Sequence, residues 1–102
     1  MYSNGNGVLK DKAEAVKWWR LSAEQGYVYA QGMLGIMYEL GEGVLKDNII
    51  AYMWYYIASD NGHENAGDWR DGRAGFMSAS DIKKATDTAK KCMESDYKNC
   101  GY

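Results

Sequence analysis

Ser80-Asp81-Ile82-Lys83 sets a lysine three residues after a serine, the spacing at which an amine one helical turn away can take the proton of an attacking hydroxyl. That is the beginning of an acyl-transfer site of the kind that opens β-lactam rings. The chemistry needs further parts, and neither Ser-Asp-Asn nor Lys-Thr-Gly occurs in the chain. With six serines and nine lysines among 102 residues, such a spacing arises by accident about half the time. Helix capping accounts better for Ser78 and Ser80. His63, the single histidine, follows Gly62 and precedes Glu64 without a second histidine or a nucleophile at a fixed spacing, so it reads as a loop residue at a helix start. One histidine and two cysteines also fall short of a zinc site. Gly5-Asn6-Gly7 and Gly41-Glu42-Gly43 resemble phosphate loops only superficially, since Lys10 and Lys46 are each followed by Asp and not by Ser or Thr. No catalytic residue, metal centre or cofactor is expected, and the chain reads as a non-enzyme.

Composition narrows the classes further. A net charge of -2, with cations and carboxylates interspersed, provides no basic stripe for nucleic acid. The longest apolar run, Ile49 to Ala58, is far shorter than the roughly 18–20 residues a membrane span needs. No charged segment followed by an apolar one marks a secretion signal at the start.

The elements that must position any site come from a repeat. Gly5-Asn6-Gly7-Val8-Leu9-Lys10-Asp11 returns as Gly41-Glu42-Gly43-Val44-Leu45-Lys46-Asp47, and Met1-Tyr2, Ala15, Trp18, Gly26 and Ala30 recur at Met37-Tyr38, Ala51, Trp54, Gly62 and Ala66. Twelve of the first 36 positions are identical one period later, where chance gives about two or three, so the chain is an internal repeat. Met1-Tyr2 falls where a helix should end, so the first unit looks cut. Such units cannot bury their apolar faces alone and stack into a solenoid.

Within one period the spacing predicts two helices. Asp11 is placed to cap a helix running to about Gln25, with Gly26 as its stop. A second helix covers roughly Tyr29 to Leu40 and halts at Gly41-Glu42-Gly43, where glycine supplies backbone angles that other residues resist. Asp47 restarts the pattern with a helix over Asn48–Asp60. Glu64 to Phe76 contains Gly67, Gly72 and Gly75, each costing about 1 kcal/mol against alanine, so a short or frayed helix is expected there. Ser78 and Asp81 form a capping pattern, and Ile82, Ala85, Ala89 and Cys92 make the apolar stripe of a last helix. Leu34, Tyr38, Ala51, Trp54 and Ala58, with Trp18, are expected to be core.

The run Ala30-x-x-x-Leu34-Gly35-x-x-Tyr38-x-x-Gly41-x-Gly43-Val44-x-x-Asp47-x-x-x-Ala51-x-x-Trp54-Tyr55-x-x-Ala58-x-x-x-Gly62 resembles one complete Sel1-like repeat, a relative of the tetratricopeptide repeat. The resemblance implies an all-α, right-handed solenoid of antiparallel helix pairs with a C-terminal capping helix, forming one domain over 1–102. Its units would be about 1–28 (truncated), 29–64 (complete) and 65–102 (degenerate, with the cap). It departs from the pattern at Ser59 and at Arg70-Asp71, which stand where small apolar residues and Leu-Gly are usual. It also implies a protein-interaction adaptor that holds a protein or peptide partner. A β-lactam-binding or hydrolysing member and a structural segment of a longer array are the alternative readings.

On the second helix Tyr29, Gly32, Met33, Ile36 and Leu40 form an apolar stripe opposite Ala30, Leu34 and Tyr38. The stripe can pack on a neighbouring helix or line a groove. As a groove, Tyr29, Met33, Ile36 and Leu40 are the partner-binding set, with methionine supplying adaptable contact. Self-association through the cut first unit is a further expectation. Cys92 and Cys100 are eight residues apart. Members with this cysteine spacing tend to be exported, which implies a disulfide and a periplasmic or secreted home, against two free cytosolic thiols as the alternative.

Overall fold

A computed structural model describes residues 8–100, with side chains from Asp11 onward. It contains five helices, and no strand occurs among the described residues: α1 (Val8–Ala23), α2 (Val28–Leu40), α3 (Asn48–Asp60), α4 (Ala66–Ala74) and α5 (Ala79–Glu94). The expected helix end at Met1-Tyr2 and the first glycine loop lie outside these residues.

The last four helices follow their local signals. α2 stops where Gly41 takes a left-handed angle (φ 71°) and Glu42 N donates to Met37 O at 2.9 Å. The loop then crosses the start of α1 so closely that a Cβ on Gly43 (φ 77°) would lie 2.5 Å from the Lys12 carbonyl oxygen. Asp47 N donates to Tyr38 O at 2.9 Å, and the Asp47 carboxylate accepts from Ile50 N at 3.0 Å, which caps α3. Ser78 Oγ accepts from Asp81 N at 3.1 Å and caps α5 in the same way. α4 has only nine residues, as its glycines foretold.

α3 is the central element, packed against α2, α4 and α5. Ala51, Tyr52, Met53, Trp54, Tyr55, Ile57 and Ala58 are all buried, so α3 is apolar nearly all round, as a helix with neighbours on several sides must be. At about 1.5–3 kcal/mol for each large apolar side chain removed from water, it is the main source of the core. α2 contributes Ala30, Leu34 and Tyr38, and α5 contributes Ala85, Ala89 and Cys92. Buried Gln31 is satisfied: its Nε2 donates to Ala23 O (3.1 Å) and its Oε1 accepts from Asn61 Nδ2 (2.9 Å).

Two expectations fail on α1. Asp11 lies inside the first turn and does not cap the helix, because α1 begins at Val8. The second copy of the same residues, Val44-Leu45-Lys46, is held as a loop by the bond from Asp47 N to Tyr38 O; the counterpart of Tyr38 is Tyr2, outside the described residues. Trp18 is not core either. It is 63% exposed, whereas Trp54 is 0% exposed. α3 packs on α2, α4 and α5, whereas the main helix contact of α1 is α2 alone. α1 instead packs on α2 through Val16 and Ala23, with Arg20 Nη2 donating to the Tyr38 hydroxyl at 2.9 Å.

The two sulfurs are joined. Cys92 and Cys100 form a disulfide (Cα–Cα 4.3 Å), which folds residues 95–100 back over α3. Tyr97 N donates to Cys92 O at 2.7 Å, and the Tyr97 ring stacks on Trp54 with centroids 6.5 Å apart. The Tyr97 hydroxyl accepts from Asn61 Nδ2 at 3.0 Å.

Candidate partner-binding groove

The stripe on α2 is open at both ends and partly covered in the middle. Tyr29 and Leu40 are 64% and 60% exposed, while Met33 and Ile36 are half-buried. What covers the middle comes from the far side of the repeat. His63, Trp69 and Tyr55 form a row of rings: His63 to Trp69 at 5.0 Å, and Trp69 to Tyr55 at 5.7 Å in an edge arrangement. The row fits because α2 presents two glycines to it. A Cβ on Gly32 would lie 2.8 Å from the His63 ring, and one on Gly35 would run into the Tyr55 ring. Between α2 and α4 this leaves a hollow of about 290 Å³ lined by Ile36, Glu39, Leu40, Tyr55 and Trp69.

Polar contacts fix the walls. The Tyr55 hydroxyl donates to Glu39 Oε1 at 2.6 Å, and Arg73 Nε lies 3.6 Å from Glu39 Oε2. Arg73 Nη1 also donates to Asn48 Oδ1 at 3.4 Å, and its guanidinium sits 4.7 Å over the Phe76 ring. Burial, then the bond to the Glu39 carboxylate, pushes the Tyr55 phenol well above its ordinary value, with the Arg73 charge opposing. At the other end the Tyr29 hydroxyl donates to Glu64 Oε1 at 3.0 Å, and this bond, then the carboxylate charge, raises the Tyr29 phenol. His63 Nδ1 accepts from the backbone N of Asn65 (3.1 Å) and of Ala66 (3.2 Å), so the imidazole satisfies the first amides of α4. Its ring also meets the Tyr29 ring at 5.1 Å.

Ile36 and Leu40 line the hollow, Tyr29 and Met33 lie farther along the same α2 stripe outside its lining, and sequence reasoning missed Tyr55 and Trp69 as the residues opposite. The signal was present: Trp69 stands 36 residues after Met33, and Phe76, 74% exposed, stands 36 after Leu40. His63 is a helix-start residue, as its position suggested, and it is also buried beneath the groove.

The Ser80–Lys83 spacing does not build a nucleophile. Ser80 is exposed on the first turn of α5, and Lys83 Nζ donates to Asp87 Oδ2 at 2.9 Å. That bond holds the lysine above its ordinary value, whereas a general base for serine needs the reverse. No group of metal-ligating residues occurs among the described residues, and no described helix is long and apolar enough to cross a membrane.

The Sel1 repeat model matches the sequence twice, over residues 1–27 and 28–63. No relative among the curated proteins matches it. The second match spans α2 and α3 together with the glycine loop and the Asp47 cap between them, and the two matches cover well over half the sequence. The chain belongs to the Sel1 repeat family.

Proposed function

We propose that the chain is an adaptor that seats a segment of a partner protein on the α2–α4 hollow. Sel1 repeats generally mediate protein–protein interaction, and in this chain one observation carries the reading. Tyr29 and Leu40 stay exposed on the α2 stripe, and Leu40 with Ile36 lines a hollow backed by the buried Tyr55 ring and the half-buried Trp69 ring. Exposed aromatic and aliphatic side chains beside a pre-shaped apolar pocket are what interface anchors require. The test compares capture of binding proteins by the native chain and by a Tyr29→Ala, Met33→Ser, Ile36→Ser variant shown by circular dichroism to keep its helices. A protein retained by the first and lost by the second supports the groove. Equal capture by both would place binding elsewhere.

A second reading, a segment that stacks on a further helix or on another copy, is favoured by Trp18 and by Leu21 (47% exposed), whose counterparts Trp54 and Ile57 are fully buried. Sedimentation over a range of concentrations tests the self-stacking form: association by the native chain and its loss in Trp18→Glu support it, and a monomer at all concentrations counts against it.

A further inference from the structure

We infer that the exposed face of α1 is covered by the outer face of α5 on a second copy, so that chains join head to tail; this rests on the self-stacking reading given above. The α1 face is acidic where it is hollowed. At one end Asp11, Glu14, Ala15 and Trp18 are the described residues lining a hollow of about 280 Å³. At the other, Leu21, Glu24 and Gln25 face Asp96, Tyr97 and Lys98 across a hollow of about 420 Å³. The two linings together hold four carboxylates and one amine. None of the four belongs to an ion pair, because the carboxylates paired among the described residues are Glu39, Glu42, Asp71 and Asp87. The described cations of α1 do not offset them. Lys12 is taken by Glu42, Arg20 donates to the Tyr38 hydroxyl, and Lys17 lies beside the stripe and lines neither hollow.

These charges exclude one pairing and select another. Trp18 and Leu21 are the apolar surface to be covered, but two α1 helices laid face to face would set the carboxylates of each copy against those of the other. The outer face of α5 is the complement. Lys84, Thr88 and Lys91 follow one another at four- and three-residue steps along one strip, and both lysines are exposed and outside every ion pair. The neighbouring Asp87 is already bound by Lys83. α1 and α5 each have 16 residues, so the strip can run the length of the face. An ammonium group entering the first hollow meets the Trp18 ring and, one turn away, the Glu14 carboxylate. The lysine stems then lie along apolar surface that short polar side chains would leave wet. Each added copy leaves an uncovered α1 face at one end and an uncovered α5 face at the other. The contact is heterologous, and it builds open rows, not closed dimers.

Sedimentation of the full chain over a range of concentrations, beside two charge-reversed variants, tests this. Glu14→Lys with Glu24→Lys reverses α1, and Lys84→Glu with Lys91→Glu reverses α5; circular dichroism checks that both keep their helices. The native chain is expected to form rows of rising mass that shorten as salt is added. Each variant alone should associate about tenfold or more weakly, and an equal mixture of the two should recover association, because the lysines placed on one α1 then meet the glutamates placed on the other α5. Single Glu14→Lys and Lys84→Glu variants, both at exposed sites, repeat the exchange with one change on each helix. Association lost with Trp18→Glu or with the α1 reversal but indifferent to the α5 reversal would overturn the head-to-tail contact and leave self-stacking through α1 standing. Loss in both variants without recovery in the mixture would do the same. A native chain that stays monomeric, or one whose association none of these variants alters, would overturn both.

Discussion

Trp18 and Trp54 are the same residue of the same repeat, one period apart on α1 and α3, yet one is mostly in water and the other is sealed. Leu21 and Ile57 differ in the same direction. The sequence pattern around both tryptophans is that of a core position, so the difference arises from the neighbours each helix has. α3 lies between α2, α4 and α5, and the disulfide-closed turn at residues 95–100 adds Tyr97 on top of Trp54; α1 has α2 alone as a principal contact. In a repeat fold the code for burial is shared between units, and its fulfilment depends on position in the stack.

The comparison can be broken by truncation. Trp54→Ala should cost about 3–5 kcal/mol, the range for removing a fully buried large aromatic, and Trp18→Ala under about 1 kcal/mol, as for an exposed residue. Urea denaturation of both variants checks this, and equal losses would mean that Trp18 is covered in solution. The cover over Trp54 can be removed separately. Reduction of the Cys92–Cys100 bond should lower stability by about 2–3 kcal/mol through the entropy regained by the opened loop, and should shift tryptophan emission to the red as Tyr97 leaves Trp54. Unchanged emission would mean that the turn holds without its bridge.

A third contrast concerns Tyr55, whose counterpart on α1 is Trp19 and has no proton to lose. The fold raises the Tyr55 phenol through burial and then through the bond to Glu39. Its contribution to stability is therefore fully present below the ordinary phenol value, roughly pH 10, and declines as the pH rises above that toward the raised value. Denaturation measured from pH 8 to 11 should show a steeper fall for the native chain than for Tyr55→Phe, which itself costs about 1–2 kcal/mol at neutral pH through the lost hydrogen bond. Parallel curves would mean that other phenols govern the alkaline limb. The smallest difference is expected between the paired aspartates. Asp47→Ala removes a cap and should cost about 1 kcal/mol, whereas Asp11→Ala only removes a charge near a helix start, a few tenths of a kcal/mol. Thermal melts in the same buffer compare them.

The helix boundaries were legible because their signals are local. Asp47 and Ser78 cap with their own side chains, Gly41 takes the left-handed angle its position demands, and α3 spans Asn48–Asp60 as the spacing required. Asp11 misled because the bond that pins its twin comes from Tyr38, 9 residues earlier in the chain. A cap can be read from its own residues, but a stop imposed by the preceding helix cannot. Of the hollow's lining, periodicity on α2 marks Ile36 and Leu40, and it marks Tyr29 and Met33 beside them, which lie outside that lining. The α4 half was obscured because Arg70-Asp71 replaces the Leu-Gly signature, so the eye loses the register just where Trp69 and Phe76 still keep it.

The imidazole of His63 also links parts that look separate. It bonds to the first amides of α4 on one edge, and its ring fills the space that Gly32 leaves vacant on α2. The gap between the two groove walls is thus set by a shim, and its thickness depends on a methyl group that α2 lacks. Adding that methyl with Gly32→Ala would press on the shim, so the spacing of the walls and the anchoring of the shortest helix would have to change together.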